Sequence, residues 1–204
     1  MTELERALTD IRAMRSQLAR GLEFRGYGAA TFAATGVLAM LAAVAQALWV
    51  ASPLVEPVAY LGLWGATAVA SILLIGAEVV TRSRRIHGGL ADEMVQAAAE
   101  QLLPALVTGA LVTVVFLFYM PGNLWMLPGL WQIVIALGAF ASRRLLPAAF
   151  NLVGIWYLGA GLACLAFAKG GLALSPWAMG VPFGVGQLLA AGLILWTRSR
   201  HDQA

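Results

Sequence analysis

The sequence predicts an all-α membrane protein, a polytopic bundle of six transmembrane helices with both termini cytoplasmic and an amphipathic cytoplasmic helix ahead of the first span. Of 204 residues, 61% are apolar and only 11% charged, against roughly 45–50% and about 25% in a soluble domain. The apolar residues fall in six runs, each near the roughly 20 residues that a helix rising about 1.5 Å per residue needs to cross about 30 Å of hydrocarbon. The 13 basic residues are segregated. Arg6, Arg12, Arg15, Arg20 and Arg25 precede the first run, Arg82, Arg84 and Arg85 follow the second, Arg143 and Arg144 the fourth, and Arg198 and Arg200 the sixth. Lys169 alone lies on the other side, so the positive-inside rule makes the termini and the even-numbered loops cytoplasmic.

Residues 1–26 lack the apolar core and cleavage site of a signal peptide. Thr2 and Glu5 have the spacing of a capping box, and Leu4, Leu8, Ile11, Leu18 and Leu22 then form one helical face, with Ala7 and Met14 beside them. That face has two uses. It can lie in the inner headgroup layer or under the bundle, or it can pair with a partner helix, since Leu4, Ala7, Ile11, Met14 and Leu18 follow a/d spacing.

The spans are expected near 28–50, 57–80, 102–120, 124–141, 146–168 and 177–196, giving a transmembrane domain over 27–197 and a cytoplasmic tail over 198–204. Backbone amides in lipid find no water, so helices satisfy them internally. The largest cytoplasmic loop runs from Thr81 to about Gln101. Gly88-Gly89 breaks the second helix, and Asp92 and Glu93 suit the start of a helix that continues into the third span, with Pro104 as a kink or point of membrane insertion. Trp49, Trp125, Trp177 and Trp196 fall near the span ends, where indole rings anchor at headgroup depth. Thr81-Arg82-Ser83-Arg84 and Thr197-Arg198-Ser199-Arg200 hint at a repeat of helical hairpins, although arginine after an apolar run is also what fixes topology.

The spans hold one ionisable side chain, Glu78, and an intramembrane carboxylate is a candidate ion or proton site. Arg82 stands one turn later, in the favourable order for an ion pair. Gln46, Gln132, Asn151 and Gln187 lie on four different spans. They either converge with Glu78 on a polar pathway or join helices by hydrogen bonds. Glycines serve the same contacts; Gly159 with Gly161 and Gly184 with Gly186 suggest that the fifth span packs on the sixth.

No motif for hydrolysis, phosphate binding or zinc is present, so no catalytic residue, metal or cofactor is expected. The single cysteine, Cys164, reads as a small buried hydrophobe, and His87 and His201 as cytoplasmic histidines without a second ligand at metal spacing. The arginines act as topology anchors in contact with lipid rather than as a basic domain, which gives direct nucleic-acid binding no basis.

The arginine-rich amphipathic start (Leu4 to Arg25), the Phe24-Arg25-Gly26-Tyr27-Gly28 lead-in and six spans with the Arg82 to Arg85 loop resemble small bacterial six-helix inner-membrane proteins. These are similar to membrane partners of cytoplasmic regulators, including winged-helix transcription regulators. Six-span membrane anti-sigma factors share the layout, but their zinc-binding motif is missing here. The resemblance implies a multi-pass protein of the bacterial inner membrane with a cytoplasmic regulatory protein as partner. The function expected is therefore a non-enzymatic regulatory or scaffolding protein. It would bind a cytoplasmic partner or neighbouring subunit through the N-terminal helix and the loop after the second span, with lipid around it and a homo-oligomer compatible. The alternative is a small transporter or channel for an ion or small solute, with Glu78, Gln132, Asn151 and Gln187 on its path.

Overall fold

The computed structural model describes residues 28–50, 52–86, 91–142 and 148–201. Of these, 92% are helical and none forms a strand. Among the described residues six α-helices follow one another: α1 (Ala29–Trp49), α2 (Pro57–Ile86), α3 (Ala91–Tyr119), α4 (Leu127–Ala141), α5 (Asn151–Phe167) and α6 (Pro176–His201). Short 3-10 turns at Pro121–Met126, Ala148–Phe150 and Gly170–Leu172 connect or precede the later ones. Each helix packs on its neighbours in sequence and α6 packs on α1, so the helices form a closed ring. Among the described residues five helical segments are long and apolar enough to cross a membrane, and the chain is a multi-pass helical membrane protein.

Several boundaries follow local chemistry. Pro57 and Pro176 open α2 and α6, where a missing N–H leaves nothing unsatisfied. Pro104 sits inside α3, which runs unbroken from the polar Ala91–Gln101 stretch into the apolar one. The fifth apolar run, expected over 146–168, holds an α-helix of only 17 residues, because its first turn, Ala148–Phe150, is wound as a 3-10 helix.

Close backbone approach decides which helices pair most tightly. A methyl group added at Gly161 in α5 would lie 2.7 Å from the carbonyl oxygen of Gly129 in α4, and one at Gly129 would lie 2.8 Å from that of Gly161. On the other side of the ring, one at Gly36 in α1 would lie 3.1 Å from the Gly184 oxygen of α6. Gly180 presses on Ala43 in the same seam, so α6 meets α1 through Gly180 and Gly184, one turn apart. This corrects the glycine pairing expected from sequence. Gly161 faces α4, Gly184 faces α1, Gly159 faces open space, and only Gly186 meets the α5–α6 contact, against Tyr157.

The buried interior has two parts. Ala39, Ala42, Ala43, Tyr60, Trp64, Leu174 and Met179 fill the half near the α1–α2 and α5–α6 connections. Ala29, Val79, Ala136, Phe150, Val153, Tyr157, Ala190, Ala191 and Ile194 fill the half near Arg82–Arg85, called here the arginine end. Burial is uneven around the ring. Among the most apolar 18 residues of each span, 44% are buried in α6 and 33% in α1, but 11% in α2 and none in α3.

Candidate functional site

At the arginine end, α2 places Glu78 and Arg82 one turn apart, and Arg82 Nη1 donates to Glu78 Oε1 at 3.2 Å. The same carboxylate lies against Gly28, the residue that precedes α1, so closely that a side chain there would displace it. Glu78 is thus held between a guanidinium and the positive end of the α1 dipole. The pair is partly exposed and contributes about 0.3–0.5 kcal/mol. Next to it, Val80, Arg84, Asp92, Val95 and Gln96 line an open groove between the end of α2 and the start of α3.

The interior amides are engaged separately. Gln187 in α6 links three helices: its Nε2 is 3.3 Å from the Tyr157 hydroxyl of α5 and its Oε1 3.2 Å from Thr35 Oγ1 of α1. Thr35 Oγ1 also lies 2.9 Å from the Phe32 oxygen. Gln187 Nε2 donates to the Tyr157 hydroxyl, and the single Thr35 hydroxyl proton is shared between the Gln187 Oε1 and Phe32 oxygens. Gln132 in α4 donates to the Ala178 oxygen of α6 at 2.9 Å. Gln46 in α1 donates to the Leu174 oxygen at 2.7 Å and accepts from Trp64 Nε1 of α2 at 2.7 Å. Trp156 in α5 donates to the Pro182 oxygen at 2.9 Å, and Trp131 in α4 to Thr113 of α3 at 2.8 Å.

Among the described residues, no hydrogen bond or ion pair joins any two of Glu78, Gln132, Asn151 and Gln187. Asn151 stands at the start of α5 with a buried Oδ1 that has no partner, and the buried Oε1 of Gln132 likewise accepts no hydrogen bond. Such amides join helices chemically, each contact worth roughly 0.6–2 kcal/mol in a bilayer.

Other expected residues fall elsewhere. Leu4, Leu8, Ile11, Leu18, Leu22, Arg143 and Arg144 lie outside the described residues, as does His87. Arg198 and Arg200 belong to the last turns of α6, with side chains also outside. Arg84 and Arg85 end α2 exposed. Lys169, at the opposite end, places its ammonium 5.0 Å from the centre of the Trp125 ring, a cation–π contact. Trp49 and Trp177 are exposed near span ends. Sequence reasoning missed Trp64, Trp131 and Trp156, whose indole N–H groups fasten helices. The available signal was their position, well inside apolar runs rather than at the ends, where a buried donor needs an acceptor.

No three His, Cys, Asp or Glu side chains among the described residues come together to hold a metal ion. Compared with known proteins, the chain matches no family model, no curated protein and no solved structure.

Proposed function

We propose that the chain is a non-enzymatic regulatory or scaffolding protein of the bacterial inner membrane, crossing it six times with both termini cytoplasmic. In this reading the N-terminal helix and the Arg82 to Glu100 surface hold a cytoplasmic partner or neighbouring subunit. The observation that carries it is the length of α2 and α3. At 30 and 29 residues they extend about 45 Å, well beyond about 30 Å of hydrocarbon. Arg84, Asp92 and Gln96 then stand past the bilayer on a helical hairpin, with an open groove between its arms. A pore has no need of such a projection. The sixth crossing is supported by the 3-10 turn before α5, which lengthens that helical stretch to about 31 Å.

Native mass spectrometry of tagged protein extracted from its own membranes tests this reading. The full chain should carry a stoichiometric soluble partner, and a chain lacking residues 2–22 should insert normally and lose it. Equal retention by the truncated chain contradicts the proposal.

The unpaired buried oxygens of Gln132 and Asn151 favour a second reading, transport of an ion or small solute past Glu78, Gln132, Asn151 and Gln187. Under it, Glu78→Gln changes flux into proteoliposomes; unchanged flux removes Glu78 from the path.

A further inference from the structure

The connection from α5 into α6 presents three backbone oxygens spaced four residues apart, at Leu174, Ala178 and Pro182, and each receives a side-chain donor from a different helix. Gln46 of α1 reaches Leu174 at 2.7 Å, Gln132 of α4 reaches Ala178 at 2.9 Å and Trp156 of α5 reaches Pro182 at 2.9 Å. Two of these oxygens are open for identifiable reasons. The Ala178 N–H turns to Ser175 at 3.0 Å, which leaves Leu174 without its helical donor. Pro182 has no N–H, which leaves Ala178 without one.

Backbone geometry at both ends of this stretch permits movement. Gly170 has φ +60°, which glycine adopts without strain. Pro182 interrupts the α6 ladder after its first turns, where a helix bends readily. Between them, Leu174 has φ +54°, a conformation that strains a branched side chain and persists only where its surroundings hold it. What holds it is the Gln46 bond and the burial of its side chain, 1% exposed, with Ala43, Tyr60 and Met179. Beneath the same stretch lie two buried polar atoms with no partner, the Tyr60 hydroxyl and Gln132 Oε1.

We propose that residues Lys169 to Pro182 form a hinged lid over the end of the bundle opposite the arginines, latched by Gln46, Gln132 and Trp156. Leu174 is the tooth that seats the lid between α1 and α2. Opening turns the lid about Gly170 and Pro182, withdraws Leu174, and admits water to Tyr60 and Gln132. The strained backbone of Leu174 relaxes at the same time, so the closed state rests on the latches.

Hydrogen–deuterium exchange of the full chain in lipid nanodiscs tests the lid. In the wild type, amides of residues 172–181 should exchange at one shared rate, faster than those at the centres of α1 and α4. Replacing two of the three latches (Gln46→Leu with Gln132→Leu) should raise that shared rate about tenfold and leave the α1 and α4 centres unchanged. Unchanged exchange in the segment, or equal acceleration throughout the bundle, overturns the proposal. Pro182→Ala is a variant that keeps all three latches and gives Ala178 a helical donor of its own. It should slow the segment's exchange and abolish the effect of adding Gln132→Leu; unchanged or faster exchange in Pro182→Ala contradicts the hinge.

Discussion

Gly161 in α5 and Gly62 in α2 are both glycines within apolar helices, yet they meet opposite surroundings. A methyl group at Gly161 would strike the Gly129 oxygen, whereas one at Gly62 would meet nothing within 4 Å. Gly65 and Gly76 of α2 are as open as Gly62. The flank built of α1, α6, α5 and α4 is knit by paired small residues and side-chain hydrogen bonds, and the α2–α3 flank is mostly bare. In lipid the apolar surface of a helix gains little by meeting another helix, so association follows close backbone approach. Glycine content alone does not locate such contacts, because a small residue is needed opposite.

Matched substitutions on the two flanks test that contrast. Leu174→Ala, at the junction of α1, α2 and the α5–α6 connection, should lower the unfolding free energy by about 2–5 kcal/mol, the range for emptying a buried leucine site. The same change at Leu73, 67% exposed on α2, should stay within about 0.5 kcal/mol. Steric trapping in bicelles reads both, and equal losses would break the comparison.

A smaller pair sharpens it. Gly161→Val should lose about 1–3 kcal/mol by forcing α4 and α5 apart, while Gly62→Val should change little. Equal tolerance of valine at both positions would mean that the α4–α5 contact is looser than its geometry. The weakest effect belongs to Arg82→Gln, which removes a partly exposed ion pair worth about 0.3–0.5 kcal/mol. A thermal unfolding shift of many degrees there would assign the Glu78–Arg82 pair a larger part in holding α1.

Much of the fold is legible in the sequence because membrane helices announce themselves locally. Apolar length, the Arg82–Arg85 cluster after the second run and the Glu78–Arg82 spacing depend on residues a few positions apart. The α3 helix and its internal Pro104 are readable in the same way. The interior contacts are not, because each joins residues distant along the chain. Pro182 frees the Ala178 oxygen, and that much follows from one residue; that Gln132, 46 positions earlier, supplies the missing donor depends on how α4 lies against α6. Gly180 and Gly184 carry the four-residue spacing of a close-packing face, visible in the row of letters, yet the row does not say that Gly36 and Ala43 lie across from it. Candidate docking residues Leu4 to Leu22 lie outside the described residues, and their role rests on the amphipathic pattern.

Under the proposed function, the polar side chains inside the bundle are fasteners and partner binding lies outside it. The unfolding free energy of Gln132→Leu in bicelles tests this most directly. A fastener lost to leucine should cost about 0.6–2 kcal/mol. Residues kept for activity commonly leave stability unchanged or raise it when replaced by an apolar side chain. An unchanged or higher unfolding free energy for Gln132→Leu would contradict the account and turn attention to transport through the bundle.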